Sequence, residues 1–185
     1  MKALIIILAV IIVIIIAGLG IIYLVEKDNI ALESQSNNNG IGQYLAPLNS
    51  TSSKNIVEEV GDNKNLRIFL VALKEAGMED ILFNGGPYTL FAPTDKAFNQ
   101  LSTSTMLRIV NQKEFLIDVL KNHIVDGAYL SSDFKVAQNL KNLNQKDLLI
   151  SLQDGLKVGD SKIVQQDIVA NNGIIYTIDK VILTE

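Results

Sequence analysis

No cysteine occurs among the 185 residues. Disulfides, zinc–thiolate sites and thiol nucleophiles are thereby excluded, although a cysteine-free chain fits reducing and oxidising compartments alike. Histidine occurs once, as His123. A catalytic triad or an imidazole-based metal site would have to run through that residue. Positive charge is scarce too: 16 basic against 20 acidic residues give a formal charge of −4. Residues 53–185 carry a net −3 and no basic run. Nucleic acid needs a positive face, so it is not an expected partner. The length holds one domain with accessories rather than two.

What the chain has in excess is an apolar start. Ala3 to Val25 is 23 residues without a charge, ten of them isoleucine. As a helix this run would be about 35 Å long, against a hydrocarbon core of about 30 Å. A cleaved signal usually has a shorter apolar region of about 7–15 residues. Residues 1–25 are therefore expected to form a transmembrane anchor. Secretion after cleavage near Gly18-Leu19-Gly20 is the alternative. A buried soluble helix fits poorly, because no face is polar. Lys2 precedes the run and Lys27 follows it, so basic side chains are balanced. The α-amino group tips the balance to a cytoplasmic N-terminus, which puts the remainder outside the cytoplasm.

Residues 26–52 read as a flexible polar linker. Ser34-Gln-Ser-Asn-Asn-Asn-Gly40 has too little hydrophobicity to offset the entropy of ordering. Tyr44, Leu45, Pro47 and Leu48 are more apolar, but four such residues bury little. Asn49-Ser50-Thr51 is a glycosylation sequon.

Residues 53–185 read as one domain, organised around Tyr88 to Leu101. Tyr88 to Ala92 suits a strand buried on both faces. Pro93 removes a backbone donor and forbids a central strand from continuing. Thr94 suits a helix cap and Asp95 its first turn. Phe98 and Leu101 then form a short apolar stripe. Upstream, Lys54 to Val60 predicts a helix ended by Gly61. Leu66 to Ala76 predicts a stronger one ended by Gly77, and Met78 to Phe83 one more turn. Downstream, Thr103 to Val110, with Met106, Leu107 and Val110, and Lys113 to Asn122 predict two amphipathic helices. The last third reads as strands: Leu148 to Leu152 and Leu156 to Val158 around an Asp154-Gly155 turn, then Lys162 to Gln165, Ile174 to Ile178 and Val181 to Leu183.

Three of these stretches resemble the signatures of the fasciclin (FAS1) domain family. Thr89-Leu-Phe-Ala-Pro-Thr-Asp-Lys-Ala-Phe98 fits T-(V/L)-F-A-P-T-(D/N)-x-A-F at every specified position. Leu120, His123, Ile124, Val125, Gly127 and Tyr129 fit L-x-x-H-(V/I)-(V/I)-x-G-x-(Y/L). Asp167 to Leu183, with Asn172-Gly173, fits the family's closing segment. Two departures stand out: Tyr176 stands where the family often has histidine, and Thr184 where proline is common, which removes one polar contact and a chain stop. The resemblance implies an α+β fold, a bent β-sandwich wedge of about seven strands with helices packed on one side. Tyr88, Phe91, Pro93, Thr94, Asp95, Phe98, His123, Asn172 and Gly173 would be its structural motif.

The resemblance also bears on function. In some animal members an Asp-Ile dipeptide before the closing turn, and a Tyr-His or Asn-His pair in the second signature, are reported cell-binding determinants. Asp167-Ile168 and Asn122-His123 fall at those positions. The competing reading packs Ile168 into the core and lets Asp167 set the turn. His123 is expected to be a structural imidazole, partly buried and hydrogen-bonded to the adjoining strand, rather than a base, since no nucleophile motif accompanies it. Asp147, Asp154, Asp160 and Asp167 lie in separate turns and do not match a calcium loop. No enzyme activity, cofactor or metal is expected. The expected role is adhesion or recognition of an extracellular protein or glycan by a membrane-tethered module. The alternative is a carrier or sensor of a small ligand or lipid.

Overall fold

The computed structural model describes residues 52–183. The expected anchor over residues 1–25, the tether up to residue 51 with Asn49, and Thr184 lie outside the described residues. Among those described, no helix is long and apolar enough to cross a membrane.

Three short helices come first. α1 (Ile56–Asp62) starts at Asn55, whose side-chain oxygen accepts from the N–H groups of Val57 and Glu58. The Glu58 carboxylate accepts from the Asn55 N–H in return, a reciprocal cap that satisfies donors the helix leaves open. α2 (Arg67–Ala76) buries Phe69, Ala72, Leu73 and Ala76, and stops at Gly77 in the left-handed conformation. α3 (Glu79–Asn84) adds a short piece and buries Leu82.

β1 (Tyr88–Pro93) is buried from Thr89 onward. It lies between β2 (Ile124–Asp126), which is antiparallel to it, and β7 (Gly173–Ile178), which is parallel. Successive side chains of a strand point to opposite faces. Leu90, Ala92 and Ile175 accordingly join a cluster with the helices, while Phe91, Ile174, Tyr176 and Ile178 join a second cluster. This two-sided burial is why both strands read as nearly continuous apolar runs. After β1 come α4 (Asp95–Phe98), α5 (Thr103–Asn111) and α6 (Lys113–Asn122).

β3 (Gln138–Lys141), β4 (Asp147–Ser151), β5 (Lys157–Val158) and β6 (Ser161–Ala170) complete a seven-stranded sheet ordered β2-β1-β7-β6-β5-β4-β3. Its two ends meet, because Val125 of β2 bridges Asn142 just past β3. The sheet thus bends around the second cluster, to which Phe134, Leu140, Leu148, Ile150 and Val158 also belong. The seven strands and packed helices agree with the expectation. The two halves are continuous through the β5–β6 pairing.

Several local expectations differ from what is found. Gly61 lies inside α1, which ends at Asn63 instead, so no left-handed stop is needed there. Leu107 and Val110 are 56% and 72% exposed; Ile109 is buried in the core, and Met106 packs against it as expected. β6 runs to Ala170 because a bulge at Gln165–Ile168, with Asp167 at φ 55°, lets the strand resume pairing after two glutamines. β3 has one buried residue in four, too weak a pattern to announce a strand. Val181 to Leu183 is not a strand; the Ile182 N–H is taken by a side chain instead.

One corner fixes how the first and last strands meet. Asn172 accepts from the Ile56 N–H at 2.9 Å and donates to the carbonyls of Leu82 at 2.7 Å and Gly85 at 3.0 Å. The next residue, Gly173, is buried against Tyr88, whose carbonyl oxygen would lie 2.1 Å from any added Cβ. Gly173→Ala is therefore expected to cost about 3 kcal/mol or more, because backbone rather than a flexible side chain must move. Gly155→Ala, at a turn with φ 96° and nothing within 4 Å, should cost only about 1 kcal/mol. Urea unfolding of the two variants followed by circular dichroism checks the contrast.

Candidate functional site

The hinge after β1 links two helices. Thr94 accepts from the Ala97 N–H through its hydroxyl oxygen at 3.3 Å and so caps α4. Asp95 reaches further. One carboxylate oxygen accepts from the Ile68 N–H at 2.9 Å and the other from Arg67 Nε at 3.2 Å. α2 has no side-chain cap of its own, so Asp95 supplies that cap from 27 residues away. Pro93 ends β1 opposite Ile178, and Phe98 is buried.

His123 follows α6 and is 0% exposed. Its Nδ1 lies 2.7 Å from the Val119 carbonyl, and its Nε2 accepts from the Ile182 N–H at 2.9 Å. A carbonyl can only accept, so Nδ1 carries the proton and the ring is neutral. Burial pulls its pKa down to about 4, against the opposing pull of the Val119 carbonyl. The expectation of a structural imidazole placed its partner on the adjoining strand. The observed partners are the preceding helix and the segment after β7.

Asn122 is 2% exposed. Its Oδ1 accepts from Asn144 Nδ2 at 2.7 Å, and Asn144 Nδ2 also reaches the Asp118 carbonyl at 2.8 Å. This network ties α6 to the β3–β4 turn. Both side chains are buried, and Asn122 also borders the cleft between α5, α6 and the β3–β4 turn.

Asp167 and Ile168 are half-buried on the β6 bulge. Ile168 packs against the helix-side cluster. The Asp167 carboxylate accepts from the Ser131 N–H at 2.7 Å, from the Ser131 hydroxyl, and faces the Tyr176 hydroxyl at 3.0 Å. Asp167 thus shapes a bulge within a strand rather than the closing turn. Tyr176 restores the polar contact whose loss the sequence implied: its hydroxyl also lies 2.9 Å from the Tyr129 carbonyl. Burial, and then the Asp167 carboxylate, push the Tyr176 pKa up, so the phenol stays protonated and donates.

A cleft of about 610 Å³ opens between α5, α6 and the β3–β4 turn. Thr105, Arg108, Phe115, Asp118, Asn144 and Lys146 line it. The Arg108 guanidinium carbon sits 3.9 Å from the centroid of the Phe115 ring. These residues went unnoticed in the sequence. Arg108 and Phe115 are seven apart and on different helices, so no helical spacing connects them. Among the described residues, no cluster of three or more His, Asp or Glu is placed to hold a metal.

This arrangement defines a scaffold domain whose motif residues hold backbone groups of their own fold. A fasciclin-domain family model matches residues 64–184, and the chain belongs to that family. The uncharacterized protein sll1735 of Synechocystis sp. is 33% identical over 129 residues, covering 70% of this chain and 97% of the relative. Protein sll1483 of the same organism is 32% identical over 135 residues, covering 71% and 74%. Human periostin is 26% identical over 161 residues, covering 85% of this chain but 19% of periostin. A solved FAS1 domain pair from the insect cell adhesion molecule fasciclin I aligns with a TM-score of 0.47 at 18% identity, over 64% of this chain and 45% of that one.

The neutral, buried His123 generates a pH prediction. Its folded pKa of about 4 lies below its ordinary 6.5. Its contribution to stability is therefore complete above pH 6.5 and is lost as pH falls towards 4, by up to about 3 kcal/mol. His123→Ala should be less stable at pH 7 and lack this component of the decline. Urea midpoints of both chains at pH 7 and pH 4.5 measure it; equal declines would contradict it.

Proposed function

We propose that this chain presents a fasciclin module outside the cytoplasm on an N-terminal membrane anchor, and that the module recognises an extracellular protein or glycan in adhesion. The carrying observation is how the signature's polar atoms are engaged. Thr94, Asp95, His123 and Asn172 each bond backbone groups of the same domain. A catalytic base needs a free nitrogen or oxygen beside a nucleophile, and His123 has both nitrogens occupied. Non-covalent recognition by the outer surface is the role this leaves, and the family resemblance implies the same. Ala3 to Val25 supports the anchor through its length and lack of charge.

The carrier reading asks for a deep apolar pocket. The cleft beside α6 instead has a mixed lining, with Arg108, Asp118 and Lys146 alongside Phe115, Val119 and Leu183, which suits a ligand with polar groups better than a lipid.

Protease added to intact cells should remove residues 53–185 while a cytoplasmic marker survives. Full protection of the domain would overturn the orientation. The detergent-solubilised chain should bind components of an extracellular protein and glycan array, and an array with no binding would count against recognition.

A further inference from the structure

We propose that the cleft between α5, α6 and the β3–β4 turn binds an acidic saccharide, with Arg108 gripping its carboxylate and Asp118 its hydroxyls. The inference rests on the recognition reading above and names the class of partner.

Arg108 is the first ground. Its guanidinium carbon lies over the Phe115 ring, 3.9 Å from the centroid. Among the described residues no carboxylate lies within 4.0 Å of it, whereas Arg67 and Lys141 each have one. An aromatic face meets the charge of the cation but offers no carboxylate to its five N–H donors. The ring contact favours this placement of the side chain before any anion arrives, so less freedom is lost on binding. A planar fork matches a carboxylate with two parallel hydrogen bonds.

Hydrogen bonds brace one wall of the cleft. Asn142 accepts from the N–H groups of Asn144 and Lys146, both at 3.0 Å, and Asn144 then crosses to α6. Its volume of about 610 Å³ falls within the roughly 300–1,000 Å³ of small-ligand sites.

Asp118 decides the ligand class. Asp118 lines the same cleft, and its carboxylate takes part in no ion pair among the described residues. A bare anion would gain from Arg108 and be repelled by Asp118. A uronate sugar carries its carboxylate and several hydroxyls on one ring, so the carboxylate meets the guanidinium and the hydroxyls donate to Asp118. The chain's formal charge of −4 argues against non-specific attraction of polyanions, leaving the local fork to do the recognition.

The test uses the full chain in detergent micelles and isothermal titration calorimetry, with trigalacturonate as probe and its methyl ester as neutral control. The acid should bind, and the ester about tenfold or more weakly. Arg108→Gln should lose about tenfold or more for the acid, and Asp118→Asn should weaken acid and ester alike. Arg108 is exposed, so the variant should melt like the parent, which circular dichroism checks. Equal binding of acid and ester, full affinity in Arg108→Gln, or no heat at millimolar probe would each overturn the proposal. If Arg108→Gln chains still bind cells or matrix like the parent while trigalacturonate does not bind, recognition stands and this cleft is not its site.

Discussion

The contact between Gly173 and Tyr88 sets the conditions for everything else. β1 and β7 are parallel neighbours, and Tyr88 pairs with Gly173 at the start of their shared register. Eighty-five positions separate the two residues, so no local turn can impose that register. It is imposed by shape: only a residue without Cβ lets the β7 backbone approach the Tyr88 carbonyl. Asn172 then anchors the same corner to α1 and to the end of α3 through three hydrogen bonds. A slip of one residue would turn every side chain of β7 to the opposite face, exchanging Ile175 with Tyr176 between the two clusters.

The signature that makes the chain recognisable is therefore a record of folding constraints. Asp95 illustrates this. By composition it is an acid in a helix first turn, and that is where it sits. Its carboxylate, however, caps a different helix, one that begins at Leu66 with no cap of its own. His123 joins the end of α6 to the segment after β7, so the last described residues are held without a strand. Residues engaged in this way are withdrawn from chemistry with a partner, and the recognition proposed above would fall to side chains that the signature does not specify.

Sequence made the elements with strong periodicity legible. β1, β7, α2 and α6 were readable because burial on one or both faces leaves a dense apolar pattern, and Gly77 and Asp154-Gly155 marked their turns through backbone conformation. β3 was not legible, since an edge strand with a single buried leucine has almost no pattern to show. The second half of β6 was hidden because a bulge breaks the alternation that identifies strands. On α5, Leu107 and Val110 have the composition of a core face but stand in solvent, which one-dimensional hydrophobicity cannot distinguish from burial. The cleft was invisible for a different reason. Arg108, Asp118 and Asn144 come from three elements, and only the closure of the sheet near Asn142 brings them together.

The absence of cysteine finds its physical counterpart in the paired cores. Small domains that bury too little apolar surface recruit disulfides to limit the freedom of the unfolded chain. Here the central strands are sealed on both faces, so Tyr88, Leu90, Phe91 and Ala92 of β1 and Ile174, Ile175, Tyr176 and Ile178 of β7 each contribute to one of two clusters. The same two strands thus serve two hydrophobic contacts, and closure of the sheet through Val125 and Asn142 shortens its exposed edges. Stability drawn from shared central strands places its demands on the interior. The outer faces of α5, α6 and the β3–β4 turn carry less of that demand, so side chains there can be replaced without disturbing the register at Gly173.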